Sequence, residues 1–202
     1  MATQENQVQT IIHVQLTGRN KATAFWRWIL IFPVFSLLTA FSSASIVHTG
    51  QYATGVLVLP VVLTLLFRGV YPSYVLTFNK ALLEFNARVC AYALLLTDDY
   101  PSIEANPNIA VHLPEIEDGK KLSRGLPLVK WIFAIPLILV GVVYSILSLF
   151  ATIYAWLYVS VTGTYPESVA NLVLGTLEYW NRVTGYAVIM VTDEYPPFTL
   201  KF

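Results

Sequence analysis

Residues 131–161 read WIFAIPLILVGVVYSILSLFATIYAWLYVSV, an uninterrupted apolar run that begins immediately after Lys130 and contains no charged side chain. Its apolar residues lie in one block, not at the spacing of a single helix face, which is the pattern of a segment surrounded by hydrocarbon. Trp28 to Val47 forms a second block of the same kind. Across the 202 residues, 56% are apolar and only 12% are charged. A soluble domain of this size needs a more polar skin, so the chain is expected to be an integral membrane protein.

Working outward from the long block, the same phrases occur twice. Trp28-Ile29-Leu30-Ile31-Phe32-Pro33 is matched by Trp131-Ile132-Phe133-Ala134-Ile135-Pro136, and Tyr71-Pro72 by Tyr165-Pro166. Glu84 and Arg88 are matched by Glu178 and Arg182, Tyr92 by Tyr186. Each copy closes on a Thr-Asp-acid-Tyr-Pro phrase, Thr97 to Pro101 and Thr192 to Pro196, which places Tyr100 opposite Tyr195. Matches in this number and order indicate an internal duplication, 1–101 and 102–202. Upstream of each Trp, Ile12 to Leu16 and Ile109 to Leu113 alternate with strand period.

The fold expected from these features is an all-α membrane protein of two tandem repeats. Each would hold a short strand, a transmembrane helical hairpin and an interfacial amphipathic helix, giving four transmembrane helices. In the first repeat the spans are Ala24 to Val47 and Tyr52 to Phe67, separated by the polar turn His48 to Gln51. In the second, Leu126 to Thr162 is too long for one straight crossing and is expected to fold as a hairpin turning near Leu147 to Thr152. Pro33, Pro60 and Pro136 fall inside spans, where a proline frees a carbonyl and kinks the helix.

The segments after the Tyr-Pro pairs, Pro72 to Leu96 and Pro166 to Met190, read as helices with a narrow polar stripe. Lys80, Glu84 and Arg88 are spaced by four along it, as are Glu178 and Arg182, the spacing of intrahelical ion pairs. None of the twelve Lys and Arg residues lies in an expected hairpin turn, so the positive-inside rule puts both termini and the central segment in the cytoplasm. The polar start, Met1 to Thr23, lacks the marks of a cleaved secretory leader.

The stretch Leu122-Ser123-Arg124-Gly125-Leu126-Pro127-Leu128-Val129-Lys130-Trp131, the Thr162-Gly163-Thr164-Tyr165-Pro166 turn and the ending from Arg182-Val183 to Tyr195-Pro196-Pro197-Phe198 carry a resemblance. The chain resembles an uncharacterised bacterial multi-pass membrane family, a domain of unknown function. That resemblance implies a membrane protein and assigns it no activity.

Chemistry is sparse. Cys90 stands alone, His13, His48 and His112 have no ligand-type neighbour at fixed offset, and glycines occur singly, so no metal site, cofactor or phosphate loop is expected. Zero net charge gives nucleic acid no basic face. Asp98, Asp99, Asp193 and Glu194 read as turn chemistry beside Tyr-Pro. The function expected is non-enzymatic: an accessory or scaffold subunit of a larger bacterial inner-membrane complex, partnered by the lipid bilayer and by other membrane subunits or itself. A small transporter or lipid-handling protein is the alternative. The residues expected to carry structure or interaction are Glu84, Arg88, Glu178, Arg182, Trp28, Pro33, Trp131, Pro136, Tyr100 and Tyr195.

Overall fold

The structure, a computed structural model, describes residues 6–40 and 58–200. Seven α-helices and two strands lie in chain order among them: β1 (Gln9–Ile12), α1 (Lys21–Phe25), α2 (Arg27–Leu30), α3 (Phe32–Ala40), α4 (Val58–Arg68), α5 (Ser73–Ala93), β2 (Ile109–His112), α6 (Lys130–Thr162) and α7 (Glu167–Ala187).

The apolar block after Lys130 forms one continuous helix of 33 residues, not a hairpin. No glycine, proline or charge interrupts Leu147 to Thr152. The hydroxyl of Thr152 donates to the Ser148 carbonyl at 2.7 Å, so its polar side chain is satisfied inside the helix and asks for no turn. The helix runs through Pro136 and stops at Gly163, whose φ of 75° is the left-handed conformation that glycine adopts without strain.

Among the described residues α6 is the one helix long and apolar enough to span a membrane, which corrects the expectation of four spans in two like repeats. In the first half the corresponding sequence is divided. Asn20 caps α1 by accepting from the amides of Ala22 and Thr23, and the chain breaks again at Trp26 and at Ile31. The 11 residues of α4 would reach only about 16 Å at 1.5 Å per residue, roughly half a hydrocarbon core. The expected turn His48 to Gln51, and the ends of the two spans flanking it, lie outside the described residues.

The helices after the Tyr-Pro pairs exist nearly as expected, but they are not interfacial. Pro72 and Pro166 precede them with the same extended backbone, φ −64° and ψ 125°. Both helices pack as a middle layer: α5 against β2 and α3, α7 against β1 and α6, and each against the other. Protein therefore covers most of the apolar circumference that the sequence suggested for lipid, leaving Tyr74 and Phe78 of α5 exposed. The two strands pair antiparallel, with Gln9 opposite His112 and Ile12 opposite Ile109, so the first strand lies three residues earlier than its alternation predicted.

The main core draws on both halves of the chain, with Leu65, Val75, Leu95 and Val111 beside Val159, Val173 and Met190. Two tyrosines tie the halves directly: the hydroxyl of Tyr71 donates to the Ile189 carbonyl at 2.8 Å, and that of Tyr165 to the Leu94 carbonyl at 3.2 Å. A smaller cluster joins α6 to α7 through Leu137, Tyr179 and Val183. There Gly141 leaves room for Trp180, whose Cζ2 lies 2.8 Å from where a Cβ would stand, and Ser145 accepts from the Trp180 ring N–H at 2.8 Å.

Candidate functional site

The most concentrated charge chemistry lies where the start of each Trp-containing helix meets the Thr-Asp phrase of the same half. Arg27, fully buried, donates to the carbonyls of Tyr92 at 2.9 Å and Thr97 at 2.7 Å and to the Asp98 carboxylate. Its guanidinium stands 4.3 Å from the Tyr92 ring centre. Asp98 also holds the chain entering α1: Arg19 contacts the same Oδ1 as Arg27, at 2.9 Å, and the Asn20 amide donates to Oδ2 at 2.9 Å. Burial lowers the Arg19 pKa from its ordinary value, and the Asp98 charge works against that shift.

At the matched place in the second half, fully buried Lys130 donates to the Thr192 carbonyl and contacts Asp193, each at 2.7 Å. Its ammonium lies 5.2 Å from the Tyr186 ring centre, and Asp193 also accepts from the Ser123 amide. Arg27 uses its planar fork on three acceptors, whereas Lys130 acts as a point charge on two. The turn itself is made by the threonines, which accept from the amides of Asp99 and Glu194 at 3.1 Å.

Sequence reasoning read the two aspartates as turn residues and left Arg27 and Lys130 out. The usable signal was a basic residue directly before the Trp in both halves, together with an acid in both closing phrases.

The expected residues fall around these clasps. Tyr100 donates to the Leu30 carbonyl at 3.3 Å and Tyr195 to the Phe133 carbonyl at 3.1 Å. Each acceptor stands three residues before a proline, Pro33 or Pro136. Pro136 lies inside α6, where a proline disturbs the carbonyls of the preceding turn, and Pro33 in the first turn of α3; a tyrosine hydroxyl reaches the carbonyl three residues before the proline in both places. We expect Tyr195→Phe to cost about 0.5–1.5 kcal/mol, read as a lowered melting temperature in detergent. Tyr100→Phe should do the same, and an unchanged melting temperature in both would show that these bonds contribute nothing.

Trp28 and Trp131 are half exposed on the outer layer, and the Trp131 ring N–H donates to the Ala187 carbonyl at 2.9 Å. Glu84 pairs with Lys80 at 3.8 Å. Arg88, buried, turns away from the helix to donate to the carbonyls of Ser102 and Ile103, both at 3.1 Å. Arg182 donates to the Thr199 carbonyl at 3.1 Å. The arginines of the stripe thus hold the segments that follow the Tyr-Pro turns. Desolvation lowers the pKa of both, opposed by Glu84 for Arg88 and by Glu178 for Arg182.

Glu84 and Arg88 also line a shallow cavity of about 270 Å³ with Leu37, Phe78 and Ile103. Among the described residues no three His, Cys, Asp or Glu side chains come together as a metal site.

Two buried cation–carboxylate clasps, one in each half, thus lie beside the apolar outer layer of helices. A DUF4389 domain, a domain of unknown function, is found at residues 127–199. The match takes in α6, α7 and the closing phrase, and so Lys130, Asp193 and Tyr195. No curated protein and no solved structure matches the chain.

Proposed function

We propose that this chain is a non-enzymatic protein of the bacterial inner membrane that serves as an accessory or scaffold subunit of a larger membrane complex. The observation that carries the reading is the outer face of α6. Ile132, Leu139, Phe150 and Val161 are each more than 60% exposed, and the helix meets the rest of the protein only along its other side. A continuous apolar face of this size marks a membrane or protein contact. The charged groups of both clasps are engaged within the protein, which suits a rigid framework better than a site that must bind and release. Asn6 and Gln7 donate to Glu194 at 2.7 and 3.0 Å, which supports placing both terminal segments on one side, the cytoplasmic one.

The chain is expected to stay with the membrane pellet through an alkaline wash and, after mild detergent extraction, to run on a native gel with partner polypeptides in fixed ratio. Recovery from the membrane as a lone monomer would remove the scaffold reading, and recovery in the soluble fraction would remove the membrane reading as well.

A further inference from the structure

We infer that α6 does not cross the bilayer: it lies along it, so that the outer layer of α1 to α4 and α6 beds into one leaflet while the strand layer stays in water. The inference rests on the membrane reading above and adds to it the direction of insertion.

One segment, residues 7–19, runs from end to end of α6. At the Lys130 end, Gln7 donates to the carbonyl of Glu194, two residues from Thr192, which accepts from Lys130. At the Thr162 end, the Tyr165 amide donates to the Leu16 carbonyl at 2.7 Å and the Arg19 amide to the Gly163 carbonyl at 3.1 Å. Residues 7–19 therefore run the whole length of the helix, and between these anchors they form β1, which among the described residues pairs with β2 alone. Gln9, Ile11 and His13 alternate to the outside of that layer and are exposed.

If α6 stood across a bilayer, this polar two-stranded ribbon, with its open edges, would stand at the same depth. Hydrocarbon does not tolerate unpaired backbone groups, so such an arrangement is excluded for a lipid-exposed edge. The length agrees: 33 residues at 1.5 Å give roughly 50 Å, well beyond the hydrocarbon thickness of about 30 Å. Laid in the plane, the same helix needs no match to thickness.

Charge says which occupant the face takes. Residues 20–40, 58–68 and 120–163, which build the described outer layer, contain no Asp or Glu. Lys21 sits at one end of α6, where its ammonium donates to the Val161 carbonyl. At the other end Arg124 packs over Gly69, next to Arg68. A rim of exposed cations around an apolar face complements the anionic headgroups of a bilayer surface. A second copy of the chain would bring the same acid-free rim against itself.

The test places a bimane label at Ile132→Cys, Phe150→Cys or Val161→Cys, exposed positions that share one face of α6 to within about 20°, each in the full chain carrying Cys90→Ser. The labelled proteins are reconstituted into phosphatidylcholine–phosphatidylglycerol vesicles and quenched by lipids doxyl-labelled near the headgroup or near the chain end. For a helix in the plane, all three positions give one quenching ratio, that of a depth about 5–10 Å into the headgroup–acyl boundary. A helix that crosses gives a deep ratio at 150 and shallow ratios at 132 and 161, which overturns the inference while leaving the membrane reading intact. Labels that no lipid quenches, in protein that still floats with vesicles, would mean that a protein surface covers the face, and would also overturn it. Failure to float with vesicles would overturn the membrane reading itself.

Discussion

Asp98→Ala is expected to lower stability by about 3–5 kcal/mol, because it leaves two buried guanidiniums, Arg19 and Arg27, without their counter-charge. The loss exceeds that of an ordinary surface ion pair, since both arginine side chains are fully buried and cannot turn to water. It also frees the Asn20 amide, and with it the entry to α1. In a chain of this length the cost corresponds to a melting temperature lower by roughly 6–20 °C. Asp193→Ala should cost less, because it strands one cation, Lys130. Replacing both members of that second pair, Lys130→Met with Asp193→Leu, should restore much of the loss, as apolar substitutes for a buried pair commonly do. If Asp98→Ala melts within a degree or two of the parent, the clasps do not hold the fold.

Gly185→Val is expected to be the most damaging change in α7. A Cβ at position 185 would lie 2.2 Å from Cγ2 of Val8 and 3.3 Å from its Cβ, and valine's branched side chain has little freedom to swing aside. A glycine in a helix interior ordinarily costs about 1 kcal/mol against alanine, so only the close approach of the strand layer explains it here. Overpacking at this contact should outweigh any helix gain, with a net loss of about 1–3 kcal/mol by chemical or thermal unfolding in detergent. Val8→Ala combined with Gly185→Val should recover part of it. Strict additivity of the two single losses would count against direct contact as the cause.

What the sequence disclosed, and what it hid, follows from the range of the interactions. The Tyr-Pro pairs announced α5 and α7 within a few residues, because a proline at a helix entry acts locally. The two strands were visible from alternation, although pairing with β2 starts at Gln9, ahead of the run that alternates best. The number of spans was not legible, because hydropathy measures how apolar a stretch is and not what covers it. Pro72 to Leu96 and Pro166 to Met190 are apolar because the sheet lies on one side and the outer helices on the other. Leu126 to Thr162 looked long enough to fold back, yet nothing in it breaks a helix.

The candidate residues divide along the same line. Tyr100 and Tyr195 reach the carbonyls three residues before Pro33 and Pro136, a pairing that recurrence alone does not predict, through bonds that link a closing phrase to a helix some 60 or 70 positions earlier. The i,i+4 spacing of Glu84 with Arg88 and of Glu178 with Arg182 pointed to intrahelical pairs, but both arginines reach distant carbonyls. Arg27 and Lys130 escaped notice because a basic residue beside an interfacial tryptophan is ordinary in membrane sequences. Their partners could be recognised only once the chain had returned.

The threading of residues 7–19 along the whole of α6 has a bearing on how the polypeptide is made. Residues 7–19 leave the ribosome well before their partners: β1 has no strand to join until His112 has followed it, and Val8 has no Gly185 to rest on until α7 has been made. The segment's hold on Glu194 comes later still. The nascent first half must therefore wait, with its apolar helices uncovered, until these later residues have been added before this architecture can close.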